Sequence, residues 1–97
     1  MESQKTSSVK IRIPTPLRSY TNDQSTVAVG GATVEEALQS LTQAYPALEP
    51  HLYHENGELR SFVNIYLGDD DIRYLNGPDT ELPDDAELSI VPSIAGG

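Results

Sequence analysis

The chain of 97 residues contains no cysteine. That excludes a disulfide framework, a cysteine-based metal site and a thiol nucleophile. It fits a reducing compartment, and the expected location is the cytoplasm. Long apolar runs are also missing, so no segment is expected to span a membrane. The opening stretch Met1-Glu2-Ser3-Gln4-Lys5-Thr6-Ser7-Ser8 is polar and lacks the apolar centre of a signal peptide. Positive charge is scarce: six Lys and Arg stand against fifteen Asp and Glu, for a net charge of -9. Nucleic-acid binding needs a basic stripe to displace counterions, and this composition argues against it.

The charge is uneven along the chain. Residues 1–48 balance, with Glu2, Asp23, Glu35 and Glu36 against Lys5, Lys10, Arg12 and Arg18. All the net charge falls in residues 49–97, where only Arg60 and Arg73 are basic. Such a field favours fast, salt-sensitive encounter with a basic partner surface, or simply keeps the chain soluble.

Ninety-seven residues make one small domain. Residues 1–8 read as a disordered arm, 9–92 as the folded domain and 93–97 as a flexible tail. Val9-Lys10-Ile11-Arg12-Ile13 alternates apolar with charged, the period of a half-buried strand. Pro14 and Pro16 stop it, and Arg18 to Asp23 reads as a turn. Ser25 to Val29 is a second strand, completing an opening hairpin. After Gly30-Gly31, Thr33 caps a helix, with Glu36 three residues on to complete a capping box. Val34, Ala37, Leu38, Leu41 and Tyr45 form one apolar helical face, and Pro46 ends the helix. Leu48 and Leu52 prolong the buried side through a short irregular turn.

Phe62 to Leu67 is the strongest strand pattern in the chain. Val63, Ile65 and Leu67 point one way; Phe62, Asn64 and Tyr66 point the other. Ile72-Arg73-Tyr74 reads as a short edge strand and Glu87 to Val91 as the last strand, its ladder ended by Pro92. The expected core is Val9, Ile11, Ile13, Val27, Val29, Val34, Leu38, Leu41, Val63, Ile65, Leu88 and Ile90. The order implies an α+β layer with one helix on one sheet face. That leaves Phe62, Asn64, Tyr66 and Val91 on an open face, a partner-docking candidate.

Side chains suited to catalysis or metal binding are poorly arranged. No Ser lies in a Gly-x-Ser-x-Gly elbow, and Gly30-Gly31 lacks the phosphate-loop pattern. His51 and His54 lack two further ligands at fixed spacing. Asp69-Asp70-Asp71 resembles a calcium loop only by charge, because Tyr74 and Thr80 stand where Gly and Glu are required. The chain therefore does not read as an enzyme, and no bound cofactor is expected.

The end of the sequence, Ile94-Ala95-Gly96-Gly97, is different. Two glycines pack nothing and order at high entropic cost. They can, however, pass through a narrow channel. Five residues from Ser93 reach at most about 17 Å. A carboxylate is a poor electrophile; joining it to AMP supplies a leaving group. The activated Gly97 could then accept sulfide or a lysine amine, with ATP and magnesium supplied through a partner enzyme.

The element order, the block Phe62-Val63-Asn64-Ile65-Tyr66 and the ending Pro92-Ser93-Ile94-Ala95-Gly96-Gly97 resemble the ubiquitin-like β-grasp sulfur carriers of the MoaD/ThiS family. Ile13-Pro14-Thr15, Leu17-Arg18 and Asp71-Ile72-Arg73 look like the CysO-type carriers of cysteine synthesis within that family. The likeness spans roughly residues 9–97. It implies a β-grasp fold with a four- to five-stranded mixed sheet on one main helix. It further implies that an E1-like enzyme adenylates Gly97 and converts it to a thiocarboxylate. Ile94, Ala95 and Gly96 would enter the partner's channel, and the Phe62/Tyr66 face would help to dock. The implied acceptors are a cysteine synthase using an activated serine, with a metalloprotease to release cysteine, or the large subunit of molybdopterin synthase. Conjugation of Gly97 to lysines, as a protein modifier, stays open, as does a binding module whose tail is incidental.

Overall fold

The computed structural model describes residues 8–60 and 63–92. Among these residues the strands are β1 (Ser8–Arg12), β2 (Thr26–Gly30), β3 (Val63–Leu67), β4 (Asp70–Asp71) and β5 (Ala86–Pro92). They form one mixed sheet in the order β2-β1-β5-β3-β4. The main helix is α1 (Val34–Ala44), followed by a 3-10 turn at Pro46–Leu48 and a short helix, α2 (Glu49–Leu52). The expected mixed sheet on one main helix is present.

β1 and β2 pair antiparallel, with Ile11 opposite Val27. β5 then lies beside β1 in parallel and beside β3 antiparallel. The last strand is therefore the middle strand of the sheet. Alternation sends Val9, Ile11, Val27, Val63, Ile65, Leu88 and Ile90 to the helix side, where all are buried. Val34, Ala37, Leu38 and Leu41 of α1 meet them, and Leu48 and Leu52 close the end of the core. Burying each such aliphatic side chain is worth about 1.5–3 kcal/mol. Val29 and Leu67 are half-buried, so the expected inward residues pack less completely where the sheet runs out.

The start of α1 follows the capping-box pattern. The Glu36 N–H donates to Thr33 Oγ1 at 3.2 Å, and Glu36 Oε1 accepts from the Ala32 N–H at 2.8 Å. Gly31 fits beneath this first turn because it has no side chain. A Cβ there would lie 2.7 Å from the Ala37 nitrogen. At the other end Tyr45 leaves the helical region, at φ -133, just before Pro46.

Three local expectations are corrected. β1 begins at Ser8, so the folded part starts one residue before the expected boundary. The first part of the segment expected as a turn, Arg18–Asp23, belongs to a 3-10 helix, Thr15–Thr21, while Asn22-Asp23 does form the turn. Pro16 sits in its first turn, where a missing N–H costs nothing. The fully buried Thr21 hydroxyl lies 3.1 Å from the Gln24 carbonyl and 3.2 Å from that of Arg18, and Asn22 and Asp23 take left-handed conformations. Ile72–Tyr74 is a 3-10 turn rather than an edge strand. Asp71 Oδ1 accepts from the Arg73 N–H at 2.9 Å, which turns the chain off the sheet and buries Ile72. The edge strand is Asp70–Asp71 itself, paired with Leu67 and Tyr66.

Candidate functional site

The tail residues Ile94, Ala95, Gly96 and Gly97 lie outside the described residues, and so does Phe62. What the structure does show is the strand that leads to the tail. β5 is flanked on both sides, by β1 and by β3, and its last residue Pro92 stands opposite Val63. Proline has no N–H to donate, so a ladder ends naturally there.

The outward face of the sheet follows from the register. Val91 stands opposite Asn64, and Tyr66 opposite Ser89, so the two outward rows of β5 and β3 are continuous. Three of the four expected docking residues, Asn64, Tyr66 and Val91, therefore share one face. Val91 is 43% exposed, while Asn64 and Tyr66 are half-buried. No described helix covers this side, because α1 packs on the other.

Sequence reading missed the charged part of this face. Lys10 is opposite Glu87, and Arg12 is opposite Ser89. Arg12 Nη1 lies 3.5 Å from Glu87 Oε2 in an exposed ion pair. Such a pair is worth at most about 1 kcal/mol and serves better as a recognition feature than as a fastener. The alternation in β1 already placed Lys10 and Arg12 outward. Their neighbours on β5 could not be read, because the β1–β5 pairing joins the two ends of the chain. Charge on the open face is thus mixed, with Lys10 and Arg12 beside Glu87 and Asp71 at the β4 edge. The strong acidity of residues 49–97 is not concentrated on it.

The discarded chemistry has visible local roles. The His51 ring lies 4.4 Å from the Tyr20 ring and ties α2 to the 3-10 helix. Asp71 caps the turn after β4 and sits 3.5 Å from Arg73 Nε. Among the described residues no three His, Asp or Glu side chains gather as metal ligands, and no helix is long and apolar enough to cross a membrane. Among the described residues, two crevices lie along the helix side.

Comparison with known proteins is consistent with this geometry. The ThiS family model matches residues 11–97. The chain is 35% identical over 91 residues to the sulfur carrier protein CysO of Mycobacterium tuberculosis, covering 92% of this chain and 98% of that protein. Its fold matches CysO in the crystal structure of the Amycolatopsis orientalis BexX/CysO complex, with a TM-score of 0.83, 35% identity and coverage of 92% and 99%. It also matches the small archaeal modifier protein 1 of Methanosarcina acetivorans, with a TM-score of 0.84, 31% identity and coverage of 97% and 100%. The five-stranded sheet on its helix is therefore the β-grasp fold of these carriers.

Proposed function

Because this chain belongs to the ThiS family and is a sulfur carrier protein of the CysO type, not a catalyst in its own right, we propose that its working group is the Gly97 carboxylate. An E1-like enzyme uses ATP and magnesium to adenylate it. The carboxylate oxygen attacks the α-phosphorus, and pyrophosphate leaves. A sulfur nucleophile then adds to the carbonyl carbon and AMP leaves, giving a thiocarboxylate. The ionised thioacid is a good nucleophile by the logic that makes thiolate the active form of cysteine. In cysteine synthesis its sulfur displaces the activating group from the β-carbon of an activated serine held by a cysteine synthase. The thioester formed passes its acyl group to the neighbouring amine, and a metalloprotease hydrolyses the resulting amide to release cysteine and the Gly97 carboxylate.

The observation that carries this reading is the likeness to CysO along 92% of the chain, together with the Gly96-Gly97 ending. Two further features support it. A chain without cysteine still has a place for sulfur if the sulfur rides on the terminal carbonyl. β5 is held by β1 over Ala86–Ser89 and by β3 from Leu88 to Pro92, which gives the tail a fixed base. Ile94, Ala95 and Gly96 are the residues that pass into the partner's channel, while Tyr66, Asn64, Val91 and Phe62 meet its surface.

The test is intact mass after incubation with the cognate activating enzyme, ATP, magnesium and a sulfur source. The expected result is replacement of one oxygen by sulfur at the C-terminus. An unchanged mass sinks the proposal. Deleting Gly96 and Gly97 should abolish the product without altering the fold.

A second reading rests on the fold match to the small archaeal modifier protein 1. The same acyl adenylate would then be captured by a lysine amine, forming an isopeptide. Immunoblots of native extracts would show a ladder of conjugates, and a single free band would speak against it.

A further inference from the structure

The helix side of the molecule carries two crevices of opposite character that meet. One, about 250 Å³, has an apolar floor that includes Val63, Ile65 and Ile72, and it is flanked by Arg60 and Arg73. The other, about 340 Å³, has Leu38 and Tyr53 in its wall and is flanked by Glu35, Glu58 and Asp79. Leu59 and Pro78 line both. Arg60 and Arg73 are the two basic residues of an otherwise acidic half, and they stand at one crevice. Arg60 donates through Nε to the Pro50 carbonyl at 2.8 Å, which fixes its side chain at the α2 end of this crevice. The Arg73 side chain is 57% exposed, with its Nε 3.5 Å from Asp71 Oδ1. Beside it Tyr74 is 87% exposed and Leu75 41% exposed, large apolar groups with no role in the core. β4 reaches only Tyr66 and Leu67, so a segment lying in the first crevice meets the edge of β3 below it.

We propose that the two crevices form one docking groove for an extended segment of a partner protein, with an acidic side chain at the Arg60/Arg73 end, aliphatic side chains over Leu59 and Pro78, and a basic side chain at the Glu35/Glu58 end. Charge complementarity selects this occupant. A purely basic segment would meet two arginines, and a purely acidic one would meet three carboxylates. A second copy of the chain is a poor occupant because the net charge of -9 makes copies repel. The groove lies on the side opposite Tyr66 and Val91. A partner there and a partner on the open sheet face could bind together. The proposal does not depend on the sulfur chemistry.

The test is amide chemical-shift mapping of the full chain with capped pentapeptides. The mixed probe is Asp-Leu-Val-Leu-Lys; the controls carry Lys at both ends or Asp at both ends. Saturable shifts are expected at Glu58, Leu59 and Arg73, strongest for the mixed probe. Arg73→Glu should weaken it roughly three- to fivefold, the scale of an exposed ion pair. Adding Glu58→Lys to Arg73→Glu should restore binding, with the segment lying in the reverse direction. The spectra themselves report whether each variant is folded. Equal binding of the Lys-flanked control, shifts centred on Tyr66 and Val91, the same shifts on raising protein concentration alone, or no saturable shift would each overturn the proposal.

Discussion

Val91 stands directly across from Asn64 in the β3–β5 ladder, both on the face that α1 leaves bare. The last outward apolar residue before the tail is thus also part of the exposed sheet surface. A partner that grips this surface holds the tail at its root. In the proposed docking mode, grip and delivery would be coupled, because only Pro92 separates Val91 from the tail that begins at Ser93.

That coupling predicts the behaviour of Val91→Asp and Tyr66→Ala. Each should raise the KM of the adenylation reaction by roughly tenfold, the scale of losing about 1.4 kcal/mol at an interface anchor, and leave kcat near its original value. Steady-state pyrophosphate release checks this. Unchanged KM in both variants would remove the open face from the docking site.

Gly31→Ala should destabilise the domain by about 1–3 kcal/mol, the usual cost of forcing an extra methyl into a packed site. The added Cβ would meet backbone, the Ala37 nitrogen at 2.7 Å and its Cα at 3.0 Å, which cannot swing aside like a side chain. Urea unfolding should show the lowered midpoint with an unchanged slope.

Thr33→Ala should cost about 1 kcal/mol, because the Glu36 N–H loses its acceptor. Glu36→Ala frees the Ala32 N–H at the same helix end. The double variant should cost less than the sum of the two, since the bonds hold one structure. Thermal melts of the three proteins measure the coupling.

Tyr53 should be a late tyrosine to ionise on alkaline titration. Its pKa is pushed up from 10.0 to about 12, first by burial and then by the nearby carboxylates of Glu35 and Glu49. Protonated Tyr53 is the neutral form that the folded protein prefers. Stability from this group is therefore complete below pH 10 and is lost as pH rises toward about 12. Tyrosinate absorbance reads the titration. Glu35→Gln should lower the value in part, because burial remains.

Much of this fold was legible where a local rule acts. Alternation in β1, β3 and β5 assigned the inward residues, and Thr33, Glu36 and Pro46 marked the helix ends. The misreadings came from short segments in which side-chain hydrogen bonds decide. Asp71 turned Ile72–Tyr74 away from the sheet, and the Thr21 hydroxyl, 3.1–3.2 Å from two carbonyls, closes a 3-10 helix that reaches into the segment expected as a turn. The parallel pairing of β1 with β5 was out of reach, because no local pattern links residues so distant in sequence. That is why Glu87 was not connected with Lys10 and Arg12. The shared face of Asn64, Tyr66 and Val91 was readable, since it needed only alternation and one uncovered sheet side.

The central place of β5 has a mechanical consequence. A partner that draws the chain end into a cleft pulls along the axis of β5. The β3 ladder along Leu88–Pro92 and the β1 ladder along Ala86–Ser89 both run parallel to that axis, so the load falls on them as shear, first on the β3 ladder nearest the tail. A strand at the edge could instead be peeled away one bond at a time. Under the proposed function, a pull on the chain end would be spread over a ladder rather than concentrated on one bond at a time.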